Sequence, residues 1–80
     1  MFNRKKLNLD SQHKVLDFIM HMADIKDEYI IEDYNGNLRV SADSITGVLY
    51  ASRDFEEMYL RNCTKPGVYP DFIKDFEEQE

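Results

Sequence analysis

The sequence is poor in residues that cross-link or interrupt a chain, since its 80 residues include one cysteine, two prolines and three glycines. The single cysteine, Cys63, excludes an internal disulfide and a multi-cysteine metal site, and it fits a reducing compartment. We expect its side chain to act as a small buried hydrophobic group. Because no Pro- or Gly-rich linker interrupts the chain, we expect residues 1–80 to fold as one domain.

Long apolar runs and an excess of basic residues are also missing. No apolar run approaches the ~18–20 residues that span a bilayer, and no signal-type apolar region follows Arg4-Lys5-Lys6. Ten basic residues stand against 16 acidic ones, which gives a net charge of −6. We therefore expect a cytoplasmic protein that binds neither a membrane nor nucleic acid. The acidic residues concentrate in residues 71–80, where either a solvated helix face or a docking surface for a basic partner explains them.

The remaining composition is that of a soluble globular domain, with 42% hydrophobic residues and an aromatic set of five Tyr and five Phe. Short alternations of apolar and polar residues predict strands at residues 5–9 and 56–62. Residues 28–34, rich in β-branched and aromatic side chains, and residues 37–42 are predicted as two further strands. Between these last two, Asn35-Gly36 predicts a two-residue hairpin turn with positive φ.

Helical spacing of apolar residues predicts three helices. The first is capped by Asp10 or Ser11 and runs to about Asp24, the second runs from Ser44 to about Ser52, and the third begins at Pro70. The predicted inward residues are Val15, Ile19 and Met22 of the first helix and Phe72, Ile73 and Phe76 of the third. In the second helix, Ile45, Val48 and Leu49 have the apolar spacing. The order βαββαβα predicts an α+β open-faced β-sandwich, a four-stranded antiparallel sheet with three helices on one face.

The segment Asp43-Ser44-Ile45-Thr46-Gly47 stands where a strand gives way to a short helix. A serine in this place is commonly a helix cap, whose oxygen accepts a hydrogen bond from the first turn. The same position is a candidate for regulatory phosphorylation, because free N–H groups and the helix dipole favour an added phosphate. The sequence leaves both interpretations of Ser44 open.

The element order and this serine segment together resemble the HPr phosphocarrier family of the bacterial phosphotransferase system. The resemblance covers nearly the full chain, and residues 43–49 are similar to a Lys-Ser-Ile-Met-Gly-Val-Met-type segment at the second helix of that family. It implies an HPr-like fold with the strand order 1-4-2-3. In the family, a histidine at the start of the first helix carries phosphate, followed two residues later by an arginine and then by a proline.

This chain departs from that pattern, because Ser11, His13 and Lys14 stand at the three positions. The phosphocarrier site of the family is therefore absent as written. His13 is a substitute candidate, since it lies in the first helical turn beside Lys14, although a solvated surface histidine is the plainer interpretation. His21 lies eight residues further on, beyond the reach of metal ligands on one helix face, so no metal site is expected.

The resemblance implies two alternative functions. The first is a non-catalytic regulatory or protein-binding module, whose docking patch would comprise Ile45, Thr46 and Leu49 together with Ser11 and His13. The second is an active phosphocarrier in sugar uptake that uses His13. The implied partners are phosphotransferase-system proteins, an HPr kinase or a transcription regulator, and no cofactor is expected.

Overall fold

Four strands and two α-helices form the framework of this computed structural model, which describes residues 4–78. The elements are β1 (Arg4–Leu7), α1 (Gln12–Met22), β2 (Tyr29–Glu32), β3 (Arg39–Ser41), α2 (Ile45–Asp54), β4 (Met58–Asn62) and a final 3-10 helix (Asp71–Asp75). The predicted α+β class with a four-stranded antiparallel sheet is confirmed. Within residues 4–78, no helix has the length and apolar character needed to cross a membrane.

The strands hydrogen-bond in the order β1-β4-β2-β3. Residues directly opposite each other on neighbouring strands share a face of the sheet. Lys5, Leu60, Ile31 and Val40 therefore lie in one row, and Arg4, Arg61 and Ile30 lie in a row on the other face. We call the second face, which also carries Lys6, Tyr59, Glu32 and Arg39, the open face.

The core lies between the first face of the sheet and the two helices. Helix α1 contributes Val15, Phe18 and Met22, and α2 contributes Val48 and Ala51. These residues form one cluster with the buried strand residues, which include Leu7, Ile31 and Leu60. The predicted stripe on α1 is wrong in one position, because Phe18 is fully buried whereas Ile19 is only partly buried.

The segment after Pro70 differs from the prediction of a third α-helix. It forms a 3-10 helix of five residues, with Ile73 and Phe76 buried and Phe72 only partly buried. The chain then leaves the helix and extends along β1, where Asn8 N–H donates to Phe76 O at 2.7 Å and Glu78 N–H donates to Lys6 O at 2.8 Å. These hydrogen bonds leave no room for another helical turn, and they cover the outer edge of β1.

Lysines of β1 hold the same acidic segment by ion pairs. Lys6 Nζ lies 2.8 Å from Glu78 Oε2 and 3.0 Å from Glu57 Oε1, and Lys5 Nζ lies 3.6 Å from Glu77 Oε2. The hydrogen bonds to Glu78 and Glu57 raise the pKa of Lys6, and the hydrogen bond from Lys6 lowers the pKa of Glu57. Glu77 and Glu78 of the acidic segment thus form ion pairs within the fold. Glu80 lies outside the described residues.

Cys63 is exposed, so the prediction of a buried side chain is wrong. The residue follows β4, whose last member, Asn62, is fully buried. Successive side chains of an extended segment point to opposite sides, so Cys63 turns to solvent. Its N–H donates to Glu28 O at 2.7 Å, and the chain bends at this point after β4.

The connection between β2 and β3 spans residues 33–38 and is longer than the predicted two-residue turn. Gly36 N–H donates to Asp33 O, and the Asp33 carboxylate accepts hydrogen bonds from the N–H groups of Asn37 and Leu38. Such backbone bonds from an aspartate side chain are typical of Asx-turns and favour a wider loop. The positive φ expected at Gly36 is confirmed, at 74°.

Replacing Gly36 by valine should lower the free energy of unfolding by ~1–2 kcal/mol, because a β-branched residue is strained at positive φ. A Cβ at this position would also lie 3.2 Å from the buried Glu32 Oε2. Chemical denaturation measures the effect. The matched control is Asn35→Val, one residue earlier at a position without positive φ, and an equal loss in the two variants would contradict the prediction.

The Lys6 ion pairs should stabilise the fold at neutral pH and contribute little in acid. The lowered pKa of Glu57 means that its contribution is present above the ordinary glutamate value of ~4.3 and is lost as the pH falls through the folded value. The raised pKa of Lys6 keeps this lysine charged across that range. The difference in Tm between the wild type and Lys6→Gln should therefore shrink from near pH 7 to about pH 3.

The control for that measurement is Lys26→Gln, which removes an exposed lysine that forms no ion pair among the described residues. Its Tm difference from the wild type should stay small at both pH values. A Tm difference for Lys6→Gln that does not change with pH would show that the lysine acts through packing of its aliphatic chain instead.

Candidate functional site

The start of α1 and the last turns of α2 meet at a surface pocket of about 310 Å³. This pocket, called the Ser11 pocket below, combines polar groups at the start of α1 with apolar side chains from the two helices. Its lining residues are Leu9, Asp10, Ser11, Gln12, Val15, Leu49, Ser52 and Arg53. The pocket exists because α1 and α2 pack against each other over the core.

Ser11 is the N-cap of α1, as one of the two sequence alternatives predicted. Its backbone is extended, with φ −140° and ψ 156°, and its Oγ accepts a hydrogen bond from Lys14 N–H at 3.2 Å. The neighbouring Asp10 does not cap the helix, and its Oδ1 lies 3.7 Å from Lys14 Nζ. The Ser11 hydroxyl therefore has a structural role in starting the helix.

Arg53 supplies the single basic side chain of the pocket lining. It stands in the last turn of α2, where a cation also interacts favourably with the helix dipole. The sequence analysis did not single out this residue, and no local pattern could have done so, because its place beside Ser11 depends on how the two helices pack. An anionic group in the Ser11 pocket would face this guanidinium.

His13 lies in the first turn of α1, is exposed, and does not line the Ser11 pocket. His21 lies at the other end of the helix, where its Nδ1 is 2.8 Å from Asp17 O and its ring centroid is 5.0 Å from that of Phe72. The structure therefore brings Ser11 and Leu49 together but leaves both histidines outside the pocket. Within residues 4–78, no group of three His, Cys, Asp or Glu side chains could hold a metal ion.

Ser44 is the N-cap of α2, and its Oγ accepts a hydrogen bond from Gly47 N–H at 3.1 Å. The side chain is half-buried, while the adjacent Asp43 is exposed and accepts a hydrogen bond from the Ser41 hydroxyl. Gly47 has a packing role, because a Cβ there would lie 3.2 Å from both Ser41 O and Val40 Cβ. The serine segment thus combines a helix cap with close packing of α2 on β3.

Apolar side chains on the outer sides of the two helices remain exposed to solvent. On α2, Ile45 is 60% exposed and Thr46 is also exposed, whereas Leu49 is half-buried. On α1, Leu16 is 47% exposed and Met20 is 71% exposed. The sequence analysis did not predict that these two side chains are exposed. Their spacing of four residues places them on one side of α1, next to the side that carries Val15 and Met22, and marks a second apolar stripe.

We call the exposed residues Leu16, Met20, Ile45 and Thr46, together with Leu49, the α1–α2 surface. It flanks the Ser11 pocket, since Leu49 belongs to both. The site therefore consists of an apolar surface, a capping serine, the Asp10 carboxylate and one arginine, and the pocket lining contains no histidine. No match was found when the chain was compared with models of protein families, with curated proteins and with solved structures.

Proposed function

We propose that the protein is an HPr-like regulatory or protein-binding module that is non-catalytic and docks a partner protein on the α1–α2 surface. The implied partners are a phosphotransferase-system protein, an HPr kinase or a transcription regulator. The observation that carries the proposal is the exposure of Leu16, Met20 and Ile45 on two neighbouring helices. Large apolar side chains that stay exposed on neighbouring elements are a common feature of protein-binding sites.

The architecture supports the relationship to the phosphocarriers. The sheet order β1-β4-β2-β3 is the order of that family's sheet, and Ser44 begins α2 between the β2–β3 hairpin and β4. A fold alone does not define a function, so the proposal also depends on the chemistry of the surface. Of the residues of this surface, Leu49 lines the pocket at the start of α1, the part of the phosphocarriers that carries phosphate.

The chemistry of the Ser11 pocket favours binding over phosphoryl transfer. A serine hydroxyl is a weak nucleophile unless a neighbouring base removes its proton. The pocket lining contains no histidine, and Ser11 Oγ already accepts the hydrogen bond from Lys14 N–H. Arg53 and the polar helix start could still contact an acidic group of a partner, which would orient the partner on the apolar surface.

Unphosphorylated enzyme I of the phosphotransferase system is the first partner to test. Titrating it into the ¹⁵N-labelled chain should shift amide resonances of α1 and α2, with little change on the open face of the sheet. Replacing Ile45 by serine should weaken binding about tenfold, or roughly 1.4 kcal/mol, because the isoleucine side chain becomes buried in the complex. Val68→Ser is the matched control, since Val68 is 51% exposed in a loop away from the helices.

Adding phosphoenolpyruvate to the same mixture tests the alternative function. We expect no acid-labile phosphate on the chain. A phosphoryl adduct on His13 that disappears in His13→Ala would replace the binding-module proposal by an active phosphocarrier. Shifts confined to the open face, or no shifts at any concentration of enzyme I, would contradict the docking surface itself.

Ser44 is the proposed site of regulatory phosphorylation. A phosphate at this N-cap would gain ~0.3–2 kcal/mol from the helix dipole and the N–H groups of the first turn. Asp43 opposes it, because a carboxylate stands where the family-like segment carries a lysine. Incubation with an HPr kinase and ATP should add one phosphate by mass spectrometry, and the Asp43→Lys variant should be modified faster.

The Ser44→Ala variant should remain unmodified in that assay, whereas Ser11→Ala should be modified like the wild type. The two serines are well matched, because each caps an α-helix by accepting a hydrogen bond from the residue three positions later. No added phosphate on the wild type, or an equal signal from Ser44→Ala, would leave Ser44 as a helix cap only.

A further inference from the structure

The open face of the sheet carries a cluster of three arginines around one carboxylate. Arg4 on β1 lies directly opposite Arg61 on β4, and Glu32 on β2 lies directly opposite Arg39 on β3. Since partners in the ladder share a face, all four side chains rise from the same side of the sheet. This side is opposite to the face that packs on α1 and α2, so the cluster is independent of the proposed docking surface.

Glu32 is the centre of the cluster and is only 2% exposed. Its Oε2 lies 2.8 Å from Arg4 Nη1, and its Oε1 lies 3.1 Å from Arg61 Nε. Oε1 has no aligned hydrogen bond, and Arg61 instead donates from Nη2 to Glu32 Oε2 at 3.5 Å. One carboxylate therefore neutralises two guanidinium groups only in part.

Other contacts fix the position of Arg4. Its guanidinium carbon lies 4.0 Å from the centroid of the Tyr59 ring, and its Nη2 donates to Tyr34 O at 3.0 Å. The Arg4 side chain is only 6% exposed. A guanidinium stacked and hydrogen-bonded in this way is held rigidly, and it adds a fixed positive charge to the floor of the open face.

Arg39 adds a third positive charge, which pairs with no carboxylate among residues 4–78. It is exposed, its Nε donates to Gly36 O at 3.1 Å, and it forms no ion pair with any residue between 4 and 78. The nearby Asp33 carboxylate is already bound to the N–H groups of Asn37 and Leu38. The bond to Gly36 orients the guanidinium of this exposed side chain.

The three arginines and Glu32 line one pocket of about 330 Å³, together with Tyr34, Asn35 and Gly36. Three guanidinium groups against one carboxylate give the lining a net charge of about +2, in a chain whose overall charge is −6. Like charges placed directly opposite each other in a sheet are destabilising. Glu32 relieves this repulsion between Arg4 and Arg61, but it leaves the charge of Arg39 in place.

We propose that this pocket binds a phosphate group, with Arg39 and Arg61 as its donors and with Arg4 and Glu32 as the groups that position them. A dianion matches the excess charge of the lining, and the forked guanidinium groups match the geometry of phosphate oxygens. The strongly negative remainder of the chain would repel an extended polyanion such as nucleic acid. A small phosphate-bearing molecule is therefore the ligand class.

Inorganic phosphate in a low-salt, phosphate-free buffer is the first probe. Titration should shift the amide resonances of residues 34–39 and the Nε–H resonances of Arg39 and Arg61. Sodium chloride at matched ionic strength should not produce these shifts. Because hydrogen bonds to charged groups are strong, Arg39→Gln should weaken phosphate binding about tenfold.

Lys26→Gln is the matched control, because it removes one exposed positive charge from the loop between α1 and β2, outside the pocket. Its phosphate affinity should stay within about twofold of the wild type, since a distant exposed charge is screened. Unchanged amide spectra away from the pocket would establish that both variants keep the fold.

Phenyl phosphate is the second probe and distinguishes the source of the phosphate group. Tighter binding of phenyl phosphate than of inorganic phosphate would identify a phosphate ester that also contacts Tyr34, which is 62% exposed on the pocket wall. Tighter binding of inorganic phosphate would identify the free ion. Equal shifts with chloride, or equal losses in Arg39→Gln and Lys26→Gln, would overturn the proposal.

Discussion

The alternation of side chains along β4 determines both faces of the molecule. Met58, Leu60 and Asn62 point to the core, while Tyr59 and Arg61 point to the open face. Because β4 lies between β1 and β2, Tyr59, Leu60 and Arg61 each have a paired residue on both sides. A shift of the register by one residue would exchange the core row for the charged row, so the hydrophobic burial of Leu60 also fixes the position of Arg61.

Most elements could be predicted because their signals are local. The caps at Ser11 and Ser44 follow from side-chain oxygens that reach the N–H group three residues later, and this contact needs no other part of the chain. Strand ends were less accurate. Leu9 continues the alternation of β1 and is buried, yet it lies beyond the ladder with β4, because burial and hydrogen-bonded pairing end at different residues.

The parts that sequence reasoning missed depend on contacts between distant segments. Leu16 and Met20 were not predicted to be exposed, because the apolar residues of the helix were assigned to the core. The core accommodates only one face of α1, so these two side chains remain in solvent. Arg53 reaches the Ser11 pocket only through helix packing, and the arginine cluster requires the register of three strand pairs. The register between two strands cannot be read from either strand alone. The partners of a charged strand residue are therefore known only once the sheet has been described.

The coverage of β1 has a consequence for how the chain folds during synthesis. β1 is synthesised before its hydrogen-bonding neighbours, which are β4 and the segment around Glu77. Until they emerge, β1 has no native partner, and the apolar face of the nascent helices lacks a complete sheet to cover it. Charged Arg4, Lys5 and Lys6 then reduce the tendency of the unpaired strand to associate with other chains, a kinetic protection separate from their role in the finished fold.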